Sequence, residues 1–241
     1  AQRAITYIEK RVGLEDLAAV VIEPIQGEGG FIVPAPGFLK TLSDWTHANG
    51  VVLIADEVQS GVARTGRWFA SDWEEGFEPD LMTIAKGIAG GMPISAVTGR
   101  AEVMDASHPG GLGGTFGGNP VSAAAAVSVL KQIEAGGVNE RALEIEAFLR
   151  PRLEELKAKY PVIGDVRGRG AMLAIEFVEP GSLNPNKAAV DALVAHAHAN
   201  GVFILNAGAF YNVIRFLPPL AISNELLDDA IKVLEEKIAT L

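Results

Sequence analysis

Val51-Val52-Leu53-Ile54-Ala55-Asp56-Glu57-Val58-Gln59-Ser60-Gly61 opens as an unbroken apolar run and turns polar at Asp56. A short apolar run of this kind reads as a strand buried on both faces. A second run, Pro79-Asp80-Leu81-Met82-Thr83-Ile84-Ala85-Lys86-Gly87, ends on a lysine and a glycine. Each strand delivers a polar residue at its carboxyl end, an acid from the first and an amine from the second. In open α/β sheets, ligands sit beyond the carboxyl ends of the strands. An amine and a carboxylate converging there suit pyridoxal 5′-phosphate (PLP). The lysine can form a Schiff base, and the carboxylate can keep the pyridine nitrogen protonated.

Outward from this stretch, Ala19-Val20-Val21-Ile22-Glu23 is a further buried strand, ended by Pro24. Phe38, Leu39, Leu42, Trp45 and Thr46 recur at helical spacing, and Asn49-Gly50 closes that helix. Strand, helix and strand form a β-α-β unit, whose right-handed crossover makes the two strands parallel. Ile94 to Thr98 follows the lysine strand too closely for a helical crossover, so it returns antiparallel. Gly110 to Asn119 is a glycine-rich loop, and Pro120 opens an Ala-rich helix through Ile133. A long helical pattern runs from Asn139 to Tyr160, and Pro151 is expected to kink or divide it. Beyond Pro161, strands are expected over Val162 to Arg169, Ala171 to Val178, Val202 to Asn206 and Val213 to Phe216, with helices over Lys187 to Asn200 and Asn224 to Leu241. The chain therefore reads as an α/β portion with a mostly parallel sheet, residues 1–150, followed by a smaller α+β domain, residues 151–241.

Several segments together resemble a known family. Asp56-Glu57-Val58-Gln59-Ser60-Gly61, Arg64-Thr65-Gly66 and Ala85-Lys86-Gly87 resemble the cofactor signature of class III (ornithine/4-aminobutyrate-type) aminotransferases. The likeness extends through Glu23-Pro24-Ile25-Gln26-Gly27-Glu28-Gly29-Gly30, Gly113-Gly114-Thr115-Phe116-Gly117-Gly118-Asn119-Pro120 and Val213-Ile214-Arg215-Phe216. It implies a fold type I PLP-dependent transferase, here the C-terminal part of its large domain and the small domain. It implies transamination of an ω-amino acid, 4-aminobutyrate giving succinate semialdehyde, with 2-oxoglutarate as acceptor. Ornithine is the alternative donor. An isomerase of the same fold, or a scaffold that keeps the fold without catalysis, are the other readings.

The resemblance assigns roles residue by residue. Lys86 is the Schiff-base lysine and then the proton shuttle. Asp56 is the partner of the pyridine nitrogen, Val58 packs on the ring, and Gln59 reaches the phenolic oxygen. Thr115, among glycines whose backbone N–H groups form a nest suited to phosphate, reaches the cofactor of a neighbouring subunit. That predicts a homodimer with shared active sites. Arg215 grips the α-carboxylate of glutamate, and Glu28 pairs with it when the donor has no carboxylate at that carbon.

The residues themselves allow plainer readings. Lys86 can be a surface lysine at a strand end, and Val58 simply core. The loop around Thr115 can be plain surface, and Glu28 with Arg215 a structural ion pair. A lone guanidinium in the apolar strand around Arg215 would nevertheless be costly without an anion. Glu57, adjacent to Asp56, points to the opposite face and suits a hydrogen-bonding rather than a catalytic role. Arg64 and Arg67 can support the cofactor loop, and their plainer reading is solvated charge.

Composition narrows the partners. The 241 residues carry a formal charge of −10 and no cysteine. Nucleic acid and anionic membrane are poor partners for such a chain, and thiolate metal sites and disulfides are excluded. His47, His108, His196 and His198 form no metal set. No apolar run approaches the roughly 20 residues needed to span a bilayer. A cytoplasmic enzyme acting on an amino donor and a 2-oxo acid is expected. The first residues read as the end of a helix (Ile5, Ile8, Val12), and no phosphate-binding Gly-Ser/Thr turn precedes Glu23. The chain is therefore expected to be the C-terminal portion of a longer enzyme and inactive alone.

Overall fold

A computed structural model describes residues 1–115 and 117–241; Phe116, quoted above, lies outside the described residues. The chain divides into two compact units. The first comprises Ala1–Pro24, Pro34–Ala63 and Arg67–Gly136, and the second Ile25–Val33, Arg64–Gly66 and Gly137–Leu241.

In the first unit, β1 (Ala19–Ile22), β2 (Val52–Asp56) and β3 (Leu81–Ile84) are parallel, and β4 (Ala96–Gly99) returns antiparallel to β3. Their spatial order is the sequence order. α1 (Gln2–Arg11) and α2 (Phe38–Ala48) supply Ile5, Leu39 and Leu42 to a core that includes Leu53, Ala55 and Phe77. A second cluster joins Ile84, Ile88 and Ala89 to Ala126 of α4 (Pro120–Glu134). A single turn, α3 (Ala101–Met104), precedes the glycine-rich loop. α4 starts sharply because Asn119 Oδ1 accepts the N–H groups of Val121 and Ser122, and Pro120 needs no donor in the first turn.

The second unit is an antiparallel sheet in the order β5 (Ile163–Arg169), β6 (Met172–Phe177), β8 (Val213–Phe216), β7 (Leu205–Ala207). One face carries Val166, Leu173, Ile175, Phe177, Ile214 and Phe216. This face packs in one cluster with Leu149, Leu153 and Leu156 of α5 (Val138–Lys159), Val190 and Leu193 of α6 (Lys187–Ala199), and Leu227, Ile231 and Leu234 of α7 (Asn224–Ile238). The three- and four-residue spacing of these apolar side chains gives each helix one stripe to bury.

Pro151 does not divide α5: the helix runs through it from Val138 to Lys159. Leu149, Leu153 and Leu156 are buried on both sides of the proline, and that packing outweighs the lost backbone bond. The compact units divide at Gly136–Gly137, ahead of this helix. The strand expected over Val202 to Asn206 is only Leu205–Ala207, set by pairing with β8.

Candidate active site

The first unit places Asp56 and Lys86 at the carboxyl ends of β2 and β3. Asp56, the last residue of β2, is in register with Thr83 of β3 across the roughly 4.8 Å between neighbouring strands. Lys86 is the third residue beyond Thr83, so both groups emerge at the same edge of the sheet. Asp56 is half-buried and its Oδ1 accepts two hydrogen bonds, from the Val58 N–H (3.0 Å) and the Thr83 hydroxyl (3.2 Å). The first closes an Asx turn that fixes the carboxylate on its own backbone. Both donors are neutral, and no Lys, Arg or His side chain pairs with Asp56 among the described residues. A carboxylate held in place without a counter-cation suits a protonated ring nitrogen, so the donor set fits PLP.

Lys86 is exposed and opens a 3₁₀ turn (Lys86–Ala89) with its backbone in the left-handed region, φ 46°. Val62 and Ala63 of the loop after β2 are left-handed too, φ 58° and 65°. A Cβ added at Gly87 would lie 3.8 Å from Val62, so the two strained segments adjoin. Such backbone costs about 1–3 kcal/mol per residue and persists where the surroundings over-determine it. Val58 and Gln59 are half-buried in the same loop. Thr115 stands exposed between α3 and α4.

Glu57 anchors this loop. It is fully buried, and its carboxylate accepts the hydroxyl of Ser60 (2.5 Å), the N–H of Ala70 (3.1 Å), and the N–H and hydroxyl of Ser71 (both 2.6 Å). Asp56 and Glu57 thus divide along the chain into a half-exposed acid at the sheet edge and a buried tether.

The second unit holds the other pair. Arg215 of β8 donates through Nη1 to Glu28 Oε1. The arginine side chain is 15% exposed and the glutamate 70%, so a sheltered cation faces an anion that is largely in solvent. Glu28 lies in the loop Ile25–Val33, beside a pocket of about 310 Å³ lined by Asn206, Gly208 and Tyr211 among others.

Two residues with structural work were underread in the sequence. Arg64 is not solvated charge: its Nη1 donates to the carbonyls of Ala171 (3.3 Å) and Pro218 (2.6 Å), and burial pulls its pKa down to about 10. Close approach of the two segments is visible at Gly170, where a Cβ would fall 2.5 Å from the Thr65 carbonyl carbon. Asp80 is almost fully buried at the opposite end of the first sheet, accepting the Leu53 N–H (2.8 Å) and Arg100 Nη1 (2.7 Å). Neither contact has a local pattern that could announce it. No group of three or more His, Asp or Glu suited to a metal ion occurs among the described residues, and no described helix is long and apolar enough to cross a membrane.

A mostly parallel sheet with a lysine and a carboxylate at its carboxyl edge, followed by an α+β unit, defines a PLP-dependent transferase of fold type I. Residues 1–238 match the family model "Aminotransferase class-III", and the chain belongs to that family, whose cofactor is PLP. It is 56% identical over its whole length to a 4-aminobutyrate aminotransferase of Mycobacterium bovis, covering 54% of that protein. It is 45% identical to a 5-aminovalerate aminotransferase of Pseudomonas putida, over 94% of this chain and 53% of the relative. Among solved structures, an ornithine aminotransferase of Toxoplasma gondii, described with partial occupancy of PLP at its active site, matches with a TM-score of 0.85 and 37% identity. That match covers 98% of this chain and 54% of the other. The chain spans about half the length of the curated relatives it matches.

Proposed function

We propose that the protein to which this chain belongs is an ω-amino acid aminotransferase, taking 4-aminobutyrate to succinate semialdehyde with 2-oxoglutarate as amino acceptor. The observation that carries this reading is the Glu28–Arg215 pair. Arg215 presents a planar fork suited to a carboxylate. A donor whose amine-bearing carbon has no carboxylate leaves that fork to Glu28. Glutamate brings its own carboxylate, and Glu28, already largely in water, gives way. One site then serves both half-reactions.

When bound, PLP supplies the electron sink that makes the carbon beside the amine acidic. Asp56 holds the proton on the ring nitrogen. Val58 packs on the ring and Gln59 donates to its phenolic oxygen. Lys86, a primary amine on a flexible stem, would take the proton from the amine-bearing substrate carbon and deliver it across the nitrogen to the cofactor's aldehyde-derived carbon. Thr115 serves the phosphate of a neighbouring subunit in a homodimer.

Borohydride reduction of the full-length, PLP-loaded protein followed by peptide mapping should label Lys86. A loaded sample without label there removes the enzyme reading and leaves a non-catalytic scaffold. The relative from Pseudomonas putida favours 5-aminovalerate as a second donor. A half-reaction screen with 4-aminobutyrate, 5-aminovalerate and ornithine separates the donors, and faster conversion of either of the latter two would displace 4-aminobutyrate.

A further inference from the structure

We propose that Arg167 is a positioning residue that clamps the backbone of the Glu28 loop, so that Glu28 leaves and regains Arg215 by rotating its side chain on a fixed main chain. The proposal rests on the two-donor reading of Glu28 and Arg215.

The geometry lies within the second unit. Strand pairing aligns Arg167 of β5 with Ala174 of β6, and Ala174 with Arg215 of β8. These residues share the face of the sheet opposite the helix-packed one, as do Glu176 and Val213 two pairings further on. Ala174 and Val213 are nonetheless buried. Segment Ile25–Val33 meets this face: a Cβ at Gly30 would lie 3.4 Å from Val213 Cγ2 and 3.2 Å from Arg167 Nη2.

Two bonds fix this segment at Glu28 itself and two residues beyond it. Arg167 Nε donates to the Gly30 carbonyl at 2.8 Å, and the Gly208 N–H donates to the Glu28 carbonyl at 2.9 Å. The loop also closes on itself, through Gly30 N–H to Gly27 O (3.0 Å), and is rooted by fully buried Phe31. Arg167 is itself held: its Nη1 donates to Asp165 Oδ2 (3.1 Å) and to Glu176 Oε2, and Glu176 also accepts from buried Asn212. A guanidinium can satisfy these acids and the Gly30 carbonyl at once because its donors diverge in one plane. A lysine keeps the charge but loses the fork. The carboxylate of Glu28 stays exposed while its backbone is pinned, and that combination suits a side-chain switch.

The test uses the full-length, PLP-loaded enzyme and single-turnover half-reactions. Arg167→Lys should slow the 4-aminobutyrate half-reaction about tenfold, since small misplacements of a positioned group cost rate, and leave the glutamate half-reaction within about twofold. Glu28→Gln should show the same asymmetry, and the double variant should be no slower than Glu28→Gln alone. Binding of glutarate, a dicarboxylate without an amine, should tighten at least about twofold in Arg167→Lys, because Glu28 competes less for Arg215. Equal losses in both half-reactions, additive losses in the double variant, or unchanged glutarate affinity would overturn the clamp while an asymmetric Glu28→Gln left the two-donor reading standing. A symmetric Glu28→Gln would overturn both. If Arg167→Lys does not fold, Gly208→Ala carries the same measurements. Its φ of 86° and a Cβ 3.0 Å from Val213 Cγ2 disturb the loop from the other side.

Discussion

At the scale of single residues, two adjacent acids on one strand end do different work. Asp56 takes two neutral donors on one oxygen at the sheet edge. Glu57 is fully buried and takes four donors from the loop that follows. Replacing Glu57 by Gln would turn one acceptor into a donor facing N–H and O–H groups. The change should cost about 3 kcal/mol, as for charged hydrogen bonds left unmet, and a urea unfolding midpoint would show it. A loss below about 1 kcal/mol would mean that the loop is held by something else. Arg215→Lys keeps charge but loses the bidentate fork. It should slow the glutamate half-reaction more than the 4-aminobutyrate half-reaction, and equal losses in stopped-flow absorbance would count against the switch.

At the scale of elements, the first sheet is fastened at both ends. Its carboxyl edge carries Asp56 and Lys86, while at the other end Asp80 ties β2, β3 and the start of α3 together through Leu53 and Arg100. Burial pushes the Asp80 carboxyl up, but the Leu53 N–H, Arg100 and His47 together outweigh it and hold its pKa below the ordinary value. The unfolded chain therefore binds this proton more readily than the folded one. The resulting stabilisation is complete above the unfolded pKa, about 3.9, and is lost as pH falls through the lower folded value. Asp80→Asn should accordingly be less stable at pH 7, and its urea midpoint should fall less than that of the unsubstituted protein as pH drops from about 5 to about 3. Parallel acid profiles for the two would refute this. α5 shows the complementary lesson: Pro151 reads locally as a breaker, yet leucines buried on either side of it carry the helix through.

At the scale of the whole molecule, the glycine-rich loop sets Thr115 in solvent. If Thr115 serves a neighbour's phosphate, hybrid dimers of Lys86→Ala and Thr115→Ala subunits should regain one complete site. PLP titration should then find about half the sites of the hybrid binding as tightly as unsubstituted protein. A hybrid that behaves as the average of its two parents would place Thr115 in its own subunit's site or in none.

The sequence by itself determined the elements and the chemistry they carry. Apolar runs specified β1 to β3, the short spacing after Lys86 specified the antiparallel β4, and Asp56 and Lys86 ended their runs as a pair that suits PLP. These are local properties, written in periodicity and in the polar residue that ends each run. Only the tertiary structure decided what depends on residues distant in the chain. It gave Arg64 to the carbonyls of Ala171 and Pro218, gathered Ala70 and Ser71 around Glu57, and set Arg167 against Gly30. A guanidinium or carboxylate has the same local pattern whether it faces water or a carbonyl brought by another strand. The difference is made when packing removes the water, and packing is a property of the folded whole.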